Sequence, residues 1–359
     1  MRRTLTLLLT VPALCLAPDA AHAAGTCQDQ PATIESAGGT VTGTEGADVI
    51  LATGSATIDA LGGNDTICAV GGSVTAGAGN DWVAVTESGA THVQNVDLGP
   101  GGDLLDLTLA AGSTVAATAG PAGEPLDRLI VRSVADDVAA WQLQLPATVS
   151  RAGVPVGSFT GFGSASLRVG TGSSAIVVGT DGPDTVAVAA GKVDADLGAG
   201  HDFLQLSRFY GAVPTEGSLD LGSGRDELSI DALKHIDLDL RRGRSGPLRI
   251  AGVERTYLAA RHVDYVGSRR SDVVYAIGCH VALRGGPGND LLYKAGDETA
   301  PSRPPCRQFR FHIFGQGGND RMMGWIARDV LVGGAGWDHA DGGGNIDVCQ
   351  AEVLKRCDP

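Results

Sequence analysis

The sequence predicts an all-β chain: a single right-handed parallel β-solenoid built from glycine-rich nine-residue repeats. The first observation is a run of four tandem units, Gly315-Gln-Gly-Gly-Asn-Asp-Arg-Met-Met, Gly324-Trp-Ile-Ala-Arg-Asp-Val-Leu-Val, Gly333-Gly-Ala-Gly-Trp-Asp-His-Ala-Asp and Gly342-Gly-Gly-Asn-Ile-Asp-Val-Cys-Gln. Each opens on glycine and places aspartate sixth: Asp320, Asp329, Asp338 and Asp347. A period of nine fits neither an amphipathic helix nor a lone alternating strand; it fits a turn and a short strand, repeated and stacked. The second observation is composition, 53 Gly against only 4 Trp, 5 Tyr and 7 Phe, with 43% of residues hydrophobic. The third is that the same turn recurs far upstream.

Residues 1–23 read as a secretory signal, with Arg2 and Arg3 before an apolar run, Leu5 to Ala17, and a small-residue cleavage site at Ala21-His22-Ala23. That run is too short to span a bilayer, so the expected product is exported and extracellular. Residues 24–42 form an N-terminal cap. Repeats follow over 43–106: Gly43-Thr-Glu-Gly-Ala-Asp48, then turns ending in Asp65, Asp81 and Asp103. Residues 107–178 lack the turn but carry short strands, and are expected to be divergent rungs. Over 179–293 the turns return at wider spacing, ending in Asp184, Asp202, Asp226 and Asp290, with a degenerate one, Gly267-Ser-Arg-Arg-Ser-Asp272, where Arg270 occupies a glycine position. The step from Asp184 to Asp202 is 18 residues, two nonapeptides and thus one full coil, which puts both turns on one edge. A loop insertion and strand fill 294–314, the tandem units occupy 315–349, and 350–359 caps the end.

Position eight of each unit should point inward: Ile50, Ile67, Val83, Leu105, Val186, Leu204, Leu228, Leu292, Met322, Leu331, Ala340 and Cys349. One coil cannot bury such a face alone, so stability accumulates along the stack. After signal removal six cysteines remain, an even number that favours disulfides outside the cell. Repeats touch only their neighbours, so local bridges are the easiest: Cys27–Cys68, Cys279–Cys306 and Cys349–Cys357. No CxxC or paired-His spacing supports zinc.

The net charge is −14, which argues against nucleic acid. Asp outnumbers Glu 32 to 9. This excess suits tight turns, where the short carboxylate bonds nearby backbone, and equally suits a hard cation that wants oxygen ligands. Regular Val, Ile and Leu strands argue against disorder.

The tandem units and their upstream echoes resemble the hemolysin-type calcium-binding repeats, the repeats-in-toxin (RTX) β-roll family. The resemblance implies that several Ca²⁺ ions bind between stacked turns. The glycines Gly285, Gly286, Gly288, Gly315, Gly318, Gly333, Gly334, Gly336 and Gly342 would let the backbone crowd its carbonyls toward a cation, with the aspartates as carboxylate ligands. It places Asp320 and Asp338 on one edge and Asp329 and Asp347 on the other, with Asp48, Asp65, Asp81, Asp103, Asp184, Asp202, Asp226 and Asp290 along the longer stack. The alternative is that these aspartates only cap their own turns; repeated carboxylates on neighbouring coils would then repel one another. Toxins of the family carry an apolar helical region that this chain lacks, so toxicity is not implied.

Acid–base chemistry has candidates in two alternating strands, Asp194 with Asp196, and His235, Asp237, Asp239 with Arg241. The register Asp-Leu-Gly recurs at Asp97, Asp196 and Asp220, and recurrence marks architecture, whereas a catalytic site is unique. No catalytic residue is therefore assigned. The expectation is a calcium-ordered extracellular scaffold. A polysaccharide-active enzyme or a glycan-binding module is the alternative, with an extracellular polysaccharide or cell-surface component as partner. Trp325 and Trp337 are expected to be exposed, on opposite edges.

Overall fold

The computed structural model describes residues 25–86, 93–120, 127–134, 137–146, 148–207, 213–294, 306 and 309–357; the signal-like segment 1–23 and most of 294–308 lie outside them. The described residues contain strands, turns and bends but no helix, so none is long and apolar enough to cross a membrane.

The chain alternates between two large sheets. The first has 16 strands from Ile34–Ser36 to Val353–Lys355, each pairing with the next in parallel. Register is set by one inward column. Ile50 faces Ile67, Ile67 faces Val83, and Val83 faces Leu105. Beyond residue 178, Val186, Leu204, Leu228, Thr256, Val274, Leu292, Met322 and Ala340 continue it. The position-eight residues Ile50 to Ala340 are all at most 2% exposed, while Cys349 is only partly buried. Each such aliphatic side chain contributes about 1.5–3 kcal/mol by leaving water. A one-residue slip would expose the whole column.

The second sheet runs alongside from Gly39–Thr42 to Val348–Gln350; no pairing among the described residues joins its ends, so it is open. In two places it departs from one strand per rung. Val115–Thr118 pairs in parallel with Val154–Thr160, not with the next strand in sequence. Ala140–Gln144 and Thr148–Arg151 lie beyond it in an antiparallel meander, and Ala140–Gln144 then pairs in parallel with Ser174–Thr180. The second meander repeats this topology: Glu216–Asp220 pairs with Leu248–Ala251, Arg244–Ser245 runs antiparallel, and His235–Asp239 pairs with His262–Val266. Residues 107–178 thus feed the same two sheets.

Asp137 anchors the first meander. Its buried carboxylate accepts hydrogen bonds from Trp141 Nε1 at 2.9 Å and Arg151 Nη2 at 2.7 Å, and its carbonyl accepts one from the Ser173 hydroxyl at 2.6 Å. The bridges Cys27–Cys68, Cys279–Cys306 and Cys349–Cys357 are those expected.

Candidate metal-binding turns

The repeat aspartates stand at the turns leading into the sheets, and within a run each carboxylate after the first reaches back one rung. Asp65 Oδ1 accepts the backbone N–H of Asp48, Asp81 that of Asp65, and Asp103 that of Asp81, each at 2.8 Å. Asp127 continues the series, accepting from Asp103. A second run links Asp184 to Asp202, Asp202 to Asp226, and Asp226 to Glu254. A third links Asp272, Asp290, Asp320, Asp338 and Glu352. These runs lie where the chain enters the first sheet. Asp329 and Asp347 make the same link where it enters the second. The two-edge assignment of the tandem units therefore holds.

The turns fall into two kinds. In closed turns the Oδ2 of the aspartate is taken by its own turn: that of Asp48 accepts from Thr44 N–H, Asp184 from Thr180, Asp272 from Ser268 and Asp329 from Trp325, at 2.6–2.8 Å. Thr44, Thr180 and Ser268 add a hydroxyl donor. In open turns the residues four and two before the aspartate take positive φ, as with Gly286 (105°) and Gly288 (137°) before Asp290, or Gly198 (90°) and Gly200 (157°) before Asp202. This left-handed backbone favours glycine. Leu61, Gln316 and Asn345 adopt it as well; for Asn345, at position four, the side chain tolerates it.

In seven of the open turns the second carboxylate oxygen has no hydrogen-bond partner. This holds for Asp65, Asp81, Asp202, Asp226, Asp290, Asp320 and Asp338, all at most 2% exposed. Among the described residues, no Lys or Arg forms an ion pair with any of them. Burial pushes Asp65 up to about 6 and Asp290 to about 7, and raises Asp81, Asp202 and Asp320 above the ordinary carboxylate value. Closed Asp272 is also raised by burial, to about 6.

Carbonyl oxygens stand close to these carboxylates at position-one glycines. A Cβ on Gly285 would collide with Asp290 Oδ2 and lie 2.8 Å from the Gly315 carbonyl oxygen; on Gly315 it would collide with Asp320 Oδ2 and lie 2.7 Å from that of Gly333. Carboxylate and next-rung carbonyl thus converge on position-one glycine, an arrangement that fits a hard cation. No three His, Cys, Asp or Glu side chains converge among the described residues, so any ion here would rely on backbone carbonyls.

Position five forms a further ladder that sequence reasoning missed. Asn64 Oδ1 accepts from Asn80 N–H, Asn80 from Gly102, Asn289 from Asn319 and Asn319 from Trp337, each at 2.8 Å. The recurrent Gly-Asn-Asp at 63–65, 79–81, 288–290 and 318–320 was the available signal.

The acid–base candidates do not converge. Asp237 is exposed on its strand, Asp239 bonds Arg242, and His235 pairs with Asp264 at 3.0 Å on the outward face. Asp194 is held by Lys192. Trp325 and Trp337 are exposed, as expected. Phe311 is core; Phe309 lies one residue before the strand and is exposed. A tyrosine column, Tyr257, Tyr275 and Tyr293, lines the first sheet's outer face. Tyr275 and Tyr293 stack at 5.3 Å, so these two rings turn their faces to each other rather than to a sugar.

No protein-family model matches the chain, and no curated protein matches it.

Proposed function

We propose that the protein is a secreted calcium-binding repeat protein of the RTX type, a right-handed solenoid of nonapeptide units whose stack is ordered by several Ca²⁺ ions, with a structural or interaction role outside the cell. The observation that carries this reading is the set of seven buried carboxylates, each with one oxygen satisfied by the neighbouring rung and the other without a partner. Asp65, Asp81, Asp202, Asp226, Asp290, Asp320 and Asp338 would hold the ions together with turn carbonyls. Asp103 and Asp347 sit in turns of the same backbone kind. The closed-turn residues Asp48, Asp184 and Asp329 are left out, because their own turns already take Oδ2, the oxygen that the open turns leave unpartnered.

The bound ion supplies positive charge to carboxylates that burial otherwise leaves uncompensated. The chain's residues do the rest: glycines admit the approach, and the aspartate ladder fixes each carboxylate's orientation. Extracellular calcium sites bind at around 10⁻⁴–10⁻³ M. At a tenfold excess over Kd each ion stabilises the fold by about 1.4 kcal/mol. The test is a calorimetric calcium titration of chelator-stripped mature chain, with thermal melts before and after. Multiple ions and a raised melting temperature are expected; no heat and an unchanged melt would refute the proposal.

A further inference from the structure

The second meander opens a surface feature that the carboxylate ladder does not explain. The first sheet runs straight past it, Glu227–Asp231 pairing with Arg255–Ala259 and that strand with Val273–Ile277. The second sheet inserts His235–Asp239 and Arg244–Ser245 at the same level, a spread of roughly 10 Å at about 4.8 Å per strand. The two turns leaving the second sheet there, 252–254 and 267–271, start apart and converge. A cleft of about 470 Å³ lies between them, within the size range of ligand sites.

The lining combines two chemistries. Leu240, Ile250 and Val253 supply apolar surface, and Arg241, Arg269 and Arg270 are exposed around it. Arg270 reaches Glu254 at 3.7 Å, and Glu254 is itself engaged by the Asp226 N–H. Arg241 and Arg269 have no carboxylate partner among the described residues. Next to the cleft, Arg244 and Arg249 are cross-strand neighbours, both exposed. Residues 225–270 hold ten of the chain's 27 Lys and Arg but only seven of its 41 Asp and Glu. In a chain of net charge −14, this is a local reversal of sign. It includes the degenerate turn whose glycine is replaced by Arg270.

We propose that this cleft binds an acidic polysaccharide, seating a carboxylate or sulfate between Arg241 and Arg269 and leading the chain out over Arg244 and Arg249. Guanidinium forks match planar and tetrahedral oxyanions. The apolar lining suits the CH face of a sugar ring. The basic patch is short and bordered by carboxylates, which disfavours a long polyphosphate.

The test is titration of the mature chain, in calcium-containing buffer at low salt, with a heparin-derived decasaccharide. The double variant Arg241→Gln/Arg269→Gln is compared with Arg321→Gln on the first sheet's outer face. Binding is expected for the wild type, weakened about a hundredfold in the double variant, roughly tenfold per arginine, and unchanged in Arg321→Gln. All of these side chains are exposed, and matching melts confirm intact folds. No decasaccharide binding, or binding insensitive to the double variant, overturns the proposal. So does inorganic sulfate binding as tightly as the decasaccharide, which marks a small-anion site, or tighter binding of an oligothymidylate, which marks a nucleic-acid site.

Discussion

Changing Asp320 to asparagine separates the two jobs of a ladder carboxylate. Asp320 is fully buried; its Oδ1 accepts the Asp290 N–H at 2.8 Å, and its Oδ2 has no partner. Asparagine keeps the acceptor and replaces the unpartnered anionic oxygen with a neutral amide, beside the Gly333 carbonyl. With calcium chelated, the variant is expected to be more stable than wild type, by about 1–3 kcal/mol, the cost of a buried polar group without a partner. With calcium at a hundredfold excess over Kd, an occupied site contributes about 2.7 kcal/mol, and the variant should lose that increment for each ion that uses Asp320. Asp272→Asn is the control. Both Asp272 oxygens accept from Ser268, N–H and hydroxyl, and an amide can keep the first with its oxygen and donate to the second, because a hydroxyl also accepts. That variant should keep the wild-type calcium increment. The assay is denaturant unfolding of the three proteins in chelator and in calcium. A loss of stability for Asp320→Asn in chelator, together with a wild-type calcium increment, would refute the reasoning.

Three further outcomes are expected. Gln316 holds φ of 80° with an exposed side chain, so Gln316→Gly should relieve strain and stabilise by about 1 kcal/mol net of glycine's greater chain entropy. Its stacked neighbour Gly334, at φ of 114°, would set a Cβ against the Gln316 carbonyl, and Gly334→Ala should destabilise in the same unfolding assay. Burial raises Asp65 and Asp272 to about 6 and Asp290 to about 7. These groups therefore contribute stability that is complete below about pH 4 and lost as pH rises through 6 to 7. His280, held below its ordinary value by burial, opposes them as one group against three. Chelated protein should thus melt higher at pH 5 than at pH 7.5; a lower melt at pH 5 contradicts the assignment. Asp137→Ala leaves Trp141 Nε1 and Arg151 without their acceptor and should cost about 3 kcal/mol. The Arg151 guanidinium holds that carboxyl below its ordinary value, so its contribution is present above the ordinary carboxylate range and fades only on stronger acidification.

The repeat was legible because its physics is local. Glycine at fixed places, aspartate at position six and an apolar residue at position eight set turn, edge and inward column together, and the 18-residue step fixed which turns share an edge. Local cysteine pairing followed from the same nearest-neighbour geometry. The meanders were not legible. Trp141-Gln-Leu-Gln alternates as a parallel rung would, and alternation records which face is buried, not the direction of the neighbouring strand. The same limit applied to His235–Asp239. Its alternation correctly put Ile236 and Leu238 inside, but the two strands beside it depend on the turns around Gly243 and Gly246, both at positive φ. The cationic cleft follows from that insertion and so was hidden with it.

The closed turns have a physical reason that also bounds the candidate metal sites. Each ladder carboxylate accepts an N–H from the rung before it. The first aspartate of a run receives none, so both of its oxygens need donors from elsewhere. Asp48, Asp184 and Asp272 each begin a run, and each draws an N–H and a hydroxyl from the residue four before it. Asp329 begins the run on the other edge and takes the Trp325 N–H. The interruptions fall at the meanders. The first run ends at Asp127, ahead of the meander anchored by Asp137; the second ends at Glu254, directly after the meander of residues 235–251. On the first edge threonine or serine at position two marks where a run starts, paired left-handed residues mark where it continues, and a ladder of open turns is no longer than its run.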